Sequence, residues 1–186
     1  QVGTITELNV SEYFRQNKMK FESIAFPTID EAVKAYDSGR CDTLSSDASY
    51  LYSLRGKLSK PDDHVILPDR ITREALAPVV RQDDASWLAI VTWTHLAMVA
   101  AEELGVTRDS LTTMKASPDY RVQRLLGKEG DVGKNLGLSP DWAARIVAYV
   151  GNYGELYEQS FSTLKAKRDL NALTINGGLQ TSSGPQ

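Results

Sequence analysis

The residues best suited to chemistry form two short groups in the amino-terminal part of the chain. The first group is the turn Gly3-Thr4-Ile5-Thr6, which stands between a predicted strand and a predicted helix. The first backbone N–H groups of a helix have no partner inside it, and with the helix dipole they attract an anion. Thr4 and Thr6 add hydroxyl donors. This Gly3–Thr6 turn suits a carboxylate or a phosphate, although such turns more often only cap a helix.

The second group is centred on Asp47, which follows Ser45 and Ser46 at the end of a predicted strand. Ligands gather at the carboxyl ends of parallel strands, so we expect Asp47 to lie beside the Gly3–Thr6 turn. A carboxylate binds an ammonium group through a charge-assisted hydrogen bond. Alone, Asp47 would be interpreted as a helix N-cap. The two groups together match both ends of a zwitterion and predict an α-amino-acid site.

The composition argues against several other classes of protein. One cysteine among 186 residues excludes an internal disulfide and a cysteine-rich zinc site. The two histidines, His64 and His95, have no metal-ligand spacing, and no catalytic triad can be assembled. The net charge of −3 argues against a protein that binds nucleic acid through a basic face. We therefore predict no cofactor, no metal, no catalytic residue and no nucleic-acid partner.

Strand and helix signals alternate in the first 80 residues. The capping box from Thr28 to Glu31 opens a helix that ends at Gly39, and Asp47 opens another. This alternation predicts βαβ units and a mainly parallel sheet. The predicted strands are residues 1–3, 21–26, 42–46, 64–67 and 76–80, and the first predicted helix is residues 6–18.

Beyond a candidate boundary at residues 81–84, almost all signals are helical. The stretch 87–104 is too polar to span a membrane and predicts a long core helix whose end, Glu102 and Glu103, is solvated. Residues 152–154 are interpreted as a turn, and the chain from residue 177 as loose. Shorter helices are predicted at 107–114, 118–126 and from Ser139-Pro140 to about 149, with a loop at 128–138.

Six segments together resemble the periplasmic amino-acid-binding proteins of polar amino-acid ABC transporters (solute-binding protein family 3), in particular the general L-amino-acid-binding proteins. The resemblance extends to about residue 178 and implies an α/β, type II periplasmic-binding-protein-like fold, in which two lobes close on a ligand. The segments are VGTITELN at 2–9, AYDSGRCD at 35–42, SDASYLYSLR at 46–55, HVILP at 64–68, LAPVVRQ at 76–82 and GNYGE at 151–155.

The resemblance implies an organisation into one lobe and part of another. Residues 1–80 would be lobe 2, the ligand-binding half with the mainly parallel sheet, and residues 81–178 the mostly helical return portion of lobe 1, followed by a flexible tail at 179–186. The first half of the family's chain, with its carboxylate-clamping arginine, would lie upstream of Gln1. The chain is thus expected to be a fragment in which Cys41 lacks its pairing cysteine.

The resemblance also assigns site residues. Thr4 and the N–H groups of Ile5 and Thr6 would hold the α-carboxylate of the ligand, and Asp47 its α-ammonium. Two further residues, Ser46 and Gln1, would face the ligand side chain. No catalytic or metal-binding residue is implied.

The implied function is non-enzymatic: the protein would bind L-amino acids in the periplasm and deliver them to the membrane permease of an ABC transporter. Two alternatives stay open, a periplasmic dehydratase of the prephenate or arogenate type on the same fold and a ligand-sensing module. The dehydratase needs an acid in the cleft, and the chain offers only Asp47. A truncated lobe 1 would expose Trp87 and Trp93, which predicts self-association or a rearranged packing.

Overall fold

The chain divides into two units in a computed structural model that describes residues 1–183. Unit 1 contains Gln1–Leu76 and Leu164–Ala166, and unit 2 contains Ala77–Thr163 and the residues from Lys167 onward. That these units correspond to the two lobes stays a prediction.

Unit 1 contains three α-helices and a 3-10 turn (Pro61–Asp63), and the first helix begins one residue before its predicted start at residue 6 and ends two residues before its predicted end at residue 18. The α-helices are α1 (Ile5–Gln16), α2 (Ile29–Asp37) and α3 (Ala48–Arg55). Half of the predicted capping box of α2 is confirmed: the Thr28 hydroxyl accepts a hydrogen bond from the Glu31 N–H at 3.3 Å, but no bond from the Thr28 N–H to the Glu31 carboxylate is present among residues 1–183. The predicted end of α2 is confirmed by Gly39, whose φ of 77° is a left-handed conformation that glycine adopts without strain.

Polar contacts tie α2 to the chain that follows α3. The Tyr36 hydroxyl lies 2.8 Å from Nδ1 of His64, and Asp37 accepts hydrogen bonds from the Ser59 N–H (3.1 Å) and hydroxyl (2.6 Å). The bonds from Ser59 hold the pKa of the Asp37 carboxyl below its usual value. The apolar residues buried beneath these contacts are Ala32, Ala35, Leu54 and Leu58.

The predicted parallel sheet of unit 1 does not form a ladder anywhere in residues 1–183. The predicted strand segments lie outside the helices, and one backbone bond, from the Val2 N–H to the Phe26 carbonyl at 2.9 Å, joins two of them. Val65, Leu76 and Val79 are 77 %, 79 % and 95 % exposed. The backbone N–H and C=O groups of a strand are hydrogen-bonded by an adjacent strand, and the residue types within one segment do not determine which strand that is. The sheet therefore stays a prediction.

Unit 2 is helical, as the sequence predicts, and its core lies around the second half of a long helix, α4 (Ala85–Glu103). The Asp84 side chain caps this helix by accepting from the Trp87 N–H at 2.8 Å. The other helices are α5 (Leu111–Met114), α6 (Tyr120–Leu125), α7 (Val132–Asn135), α8 (Trp142–Val150) and α9 (Tyr153–Phe161), and short 3-10 turns cover Ser162–Leu164, Asp169–Asn171 and Thr174–Asn176. The main buried cluster consists of Ala101, Val106, Leu111, Val122, Leu126, Ala144 and Val147.

Several predictions in unit 2 are corrected. The predicted loop at 128–138 contains α7, and the helix predicted at 107–114 begins only at Leu111. The helix predicted from Ser139-Pro140 begins later, at Trp142, because Ser139 and Pro140 form a preceding turn closed by the Trp142 N–H and the Ser139 carbonyl at 3.1 Å. Residues 152–154 are predicted to form a turn, but they form the start of α9, with Asn152 as its N-cap. The Asn152 side chain accepts from the Glu155 N–H and the Glu155 carboxylate from the Asn152 N–H, both at 2.9 Å, which completes a capping box.

The end of α4 is paired, not solvated as predicted. Glu102 forms a bidentate ion pair with Arg168, and both side chains are largely buried (14 % and 19 % exposed). The Arg168 guanidinium also lies over the rings of Tyr153 and Tyr157, 5.4 and 5.6 Å from their centroids.

The predicted flexible tail has defined partners up to Ser183. Glu103 accepts hydrogen bonds from both the N–H and the hydroxyl of Ser182, and Gln180 forms a parallel bridge with Leu173. Residues 184–186 of that predicted tail lie outside the described residues.

Candidate functional site

The Gly3–Thr6 turn places the start of α1 as the sequence predicts. Gly3 has a φ of 72°, and Thr4 occupies the N-cap position with an extended backbone. The N–H groups of Ile5 and Thr6, the first two of the helix, have no acceptor among residues 1–183. They are the orphan donors of a helix start, and they point to an anion-binding role.

The hydroxyl of Thr4 is already engaged within the turn. It donates a hydrogen bond to the Gln1 carbonyl at 2.8 Å, and the Thr4 N–H makes a longer bond, 3.4 Å, to the same oxygen. Thr4 would therefore have to rotate to donate to a ligand. The Gln1 side chain is exposed and has no hydrogen-bond partner in the described part of the chain.

Glu7 contacts the Gly3–Thr6 turn and is not among the residues predicted from the sequence. Its Oε2 atom accepts a hydrogen bond from the Gly3 N–H at 2.8 Å. The signal that could have revealed it was present: an acidic residue in the first turn of a helix, four residues after a glycine.

Asp47 stands at the N-cap of α3 but does not cap it. Its carbonyl accepts the first helical bond, from the Leu51 N–H at 2.9 Å, whereas its side chain makes no cap hydrogen bond. The side chain is exposed and has no partner within residues 1–183, while neighbouring Ser46 is half-buried. The alternative interpretation of Asp47 as an N-cap holds for its backbone and not for its side chain, and its predicted role in binding an ammonium group stays a prediction.

The two halves of the predicted site both belong to unit 1. No hydrogen bond or ion pair among the described residues joins the Gly3–Thr6 turn to Ser46 or Asp47. That they lie side by side therefore stays a prediction. The Val2–Phe26 bond does place the start of the chain beside the segment before α2, the arrangement that adjacent parallel strands would have.

The described residues contain no cluster of three or more His, Cys, Asp or Glu side chains that could hold a metal ion. Within the same residues, no helix is both long and apolar enough to cross a membrane.

The chain is similar to several curated periplasmic proteins. It is 47 % identical to the general L-amino acid-binding periplasmic protein AapJ of Rhizobium johnstonii, over 97 % of this chain and 54 % of that protein. It is 50 % identical to the putative amino-acid ABC transporter-binding protein YhdW of Escherichia coli, again over 97 % of this chain and 54 % of the relative. A third relative, the glutamate/glutamine/aspartate/asparagine-binding protein BztA of Rhodobacter capsulatus, is 41 % identical over 96 % of this chain and 54 % of its own length. The chain spans about half the length of the relatives it matches.

A solved structure shows the same likeness. It is described as an ABC transporter periplasmic binding protein from Brucella ovis with glutathione bound, and it matches with a TM-score of 0.89 and 48 % identity. The match covers 98 % of this chain and 59 % of that one. No protein-family model matches the chain.

Sequence and structure comparisons therefore agree over nearly every residue of the chain. Throughout the region that it shares with these relatives, the chain is similar to proteins named as amino-acid-binding proteins or as binding proteins of ABC transporters.

Proposed function

We propose that the protein containing this sequence binds an L-amino acid in the periplasm and delivers it to the membrane permease of an ABC transporter. The observation that carries the proposal is the 41 % to 50 % identity to relatives named as amino-acid-binding or transporter-binding proteins. In this proposal the chain supplies one part of the ligand cleft and acts by binding, not by catalysis.

The chemistry of unit 1 supports the proposal. The N–H groups of Ile5 and Thr6 are unpartnered donors for an α-carboxylate, with the Thr4 and Thr6 hydroxyls beside them. The Asp47 carboxylate, free at the start of α3, is an acceptor for an α-ammonium group. Ser46 and Gln1 would contact the ligand side chain. An amino acid is the smallest ligand that satisfies both groups together.

Glutathione is a second candidate ligand, because the Brucella ovis neighbour holds it. Glutathione keeps a free α-amino and α-carboxylate group on its glutamyl residue, so it presents the same zwitterion as a free amino acid. The two ligands differ only beyond that head group. The groups proposed here would recognise either of them.

Isothermal titration with a panel of L-amino acids and glutathione tests the proposal. The chain is extended upstream to the length of its relatives, and the 186-residue chain is titrated in parallel. We expect saturable binding of at least one amino acid by the extended chain and weaker binding by the short one. Failure of the whole panel to bind would overturn the proposal, and turnover of prephenate or arogenate would favour the dehydratase alternative.

A further inference from the structure

We infer that Glu7 is a positioning residue of the carboxylate-binding half of the site, because its side chain fixes the turn that precedes α1. This inference rests on the proposed function, since it concerns how the same site is held ready for its ligand. Glu7 is half-buried, and its Oε2 atom receives the Gly3 N–H at 2.8 Å.

The bond acts on the most flexible residue of the turn. Glycine has more backbone freedom to lose than any other residue, and Gly3 holds a left-handed φ of 72°. The Glu7 carboxylate fixes this conformation from the helix side, while the two bonds from Thr4 to the Gln1 carbonyl fix it from the other side. A turn that is ordered before binding loses less entropy when the ligand arrives.

The bond also determines which donors stay open. Glu7 takes the N–H of Gly3, which precedes the helix, and leaves those of Ile5 and Thr6 without an acceptor among the described residues. An arriving carboxylate therefore meets these two donors at the helix start. Without Glu7, the Gly3 N–H would be a third open donor, and the turn would be fixed only by the bonds from Thr4.

A variant series separates the hydrogen-bond acceptor from the charge. In the upstream-extended chain, titration with L-glutamine should show binding weakened roughly tenfold by Glu7→Ala, because one ordering hydrogen bond is lost. Glu7→Gln retains an acceptor oxygen and should keep the affinity within about threefold. Glu12→Ala, which removes an exposed carboxylate from the same helix, is the control and should change nothing.

A ligand-independent measurement tests the contact itself. In the 186-residue chain, the Gly3 amide proton should exchange with solvent more slowly in wild type than in Glu7→Ala, because the Glu7 side chain accepts its hydrogen bond. If Gly3 exchange does not respond to this substitution, the inference is wrong whatever binds. If Gly3 responds but Glu7→Ala binds L-glutamine like wild type, the contact exists and the positioning role is refuted. If Gly3 responds and no amino acid binds even the wild-type extended chain, the proposed function fails and the contact stands alone.

Discussion

Asp47 occupies the N-cap position of α3, but its side chain makes no cap hydrogen bond. An aspartate at an N-cap ordinarily accepts a hydrogen bond from the second or third N–H of the helix. Here the backbone of Asp47 begins α3 while its carboxylate stays exposed and makes no such bond. The helix therefore does not depend on this carboxylate, and the loss of its charge can be separated from the loss of the fold.

We predict that Asp47→Asn weakens amino-acid binding by about 2–5 kcal/mol, roughly thirtyfold or more, because a buried ligand ammonium would lose its counter-charge. The melting temperature of the unliganded protein should stay unchanged. Isothermal titration and thermal unfolding of the extended chain give the two readouts. Asp62→Asn, at another exposed aspartate of unit 1, is the matched control. Equal affinities of Asp47→Asn and wild type would exclude Asp47 from the site.

We predict that Ser59→Ala raises the pKa of the Asp37 carboxyl part of the way back to its usual value. The Ser59 hydroxyl is the largest cause of the lowered pKa, and the bond from the Ser59 N–H would remain. A carboxyl with a lowered folded-state pKa stabilises the fold above its unfolded-state pKa, and this stability is lost as pH falls through the folded value. Ser59→Ala should therefore flatten the acid side of the pH–stability curve.

Carboxyl-carbon NMR titration of Asp37 measures this pKa directly. Ser53→Ala, in α3 of the same unit, is the control and should leave the pKa unchanged. A wild-type Asp37 that titrates at the ordinary aspartate value would contradict the Asp37–Ser59 contact.

At the scale of elements, the N-cap residue of α9 is buried and makes more hydrogen bonds than an exposed N-cap would. Asn152 is 4 % exposed; its side chain accepts from the Glu155 N–H and donates from Nδ2 to the Val106 carbonyl at 3.0 Å. Val106 itself is fully buried in the main cluster of unit 2. The cap therefore joins α9 to the loop after α4.

We predict that Asn152→Ala destabilises the protein by about 2 kcal/mol, since it removes a helix cap and leaves the buried Val106 carbonyl without its side-chain donor. Chemical denaturation followed by circular dichroism measures the change. Asn135→Ala, at an exposed asparagine of α7, should cost much less. Similar losses in the two variants would show that the buried cap carries no special energy.

The elements that could be predicted are those whose signals lie in neighbouring residues. Thr28 with Glu31 and then Gly39 mark both ends of α2, and Gly105 follows the end of α4. The start of α9 is not predicted although the Asn152–Glu155 pattern is present, because residues 152–154 are interpreted as a turn. Gly154 lies inside α9 and packs closely on α4: a Cβ there would lie 3.0 Å from the Glu102 carboxylate.

The features that could not be predicted depend on residues distant in sequence. A parallel ladder needs a partner strand with the right register, and the predicted strand segments show one backbone bond between them. Thr4 and Asp47 are each located correctly at a helix start, because that is a local property. Whether they lie side by side depends on the predicted sheet, so their proximity stays a prediction for the same reason.

At the scale of the whole molecule, large apolar side chains remain exposed in the first half of α4. Trp87, Leu88 and Trp93 are 51 %, 52 % and 45 % exposed. The exposure of Trp87 and Trp93 is as the sequence analysis predicted, and such surface usually has a partner.

We predict that the 186-residue chain self-associates through the exposed first half of α4, so that its mass by light scattering rises with concentration. Trp87→Ser with Leu88→Ser should shift the population towards monomer, because two large apolar side chains leave the surface. Val65→Ser, at an exposed apolar residue of unit 1, is the control. A concentration-independent monomer that binds no hydrophobic dye would contradict the prediction.

The pairing of Arg168 with Glu102 limits where the chain can be shortened. A deletion that begins after α9 would remove Arg168 and leave the Glu102 carboxylate, 14 % exposed, without its counter-ion. A deletion that begins before Ser182 would also remove the two hydrogen bonds that the Glu103 carboxylate accepts from that residue. Expression vectors should therefore keep the sequence through Ser183 and add any affinity tag beyond it, because Gln180 and Ser182 contact other residues of unit 2.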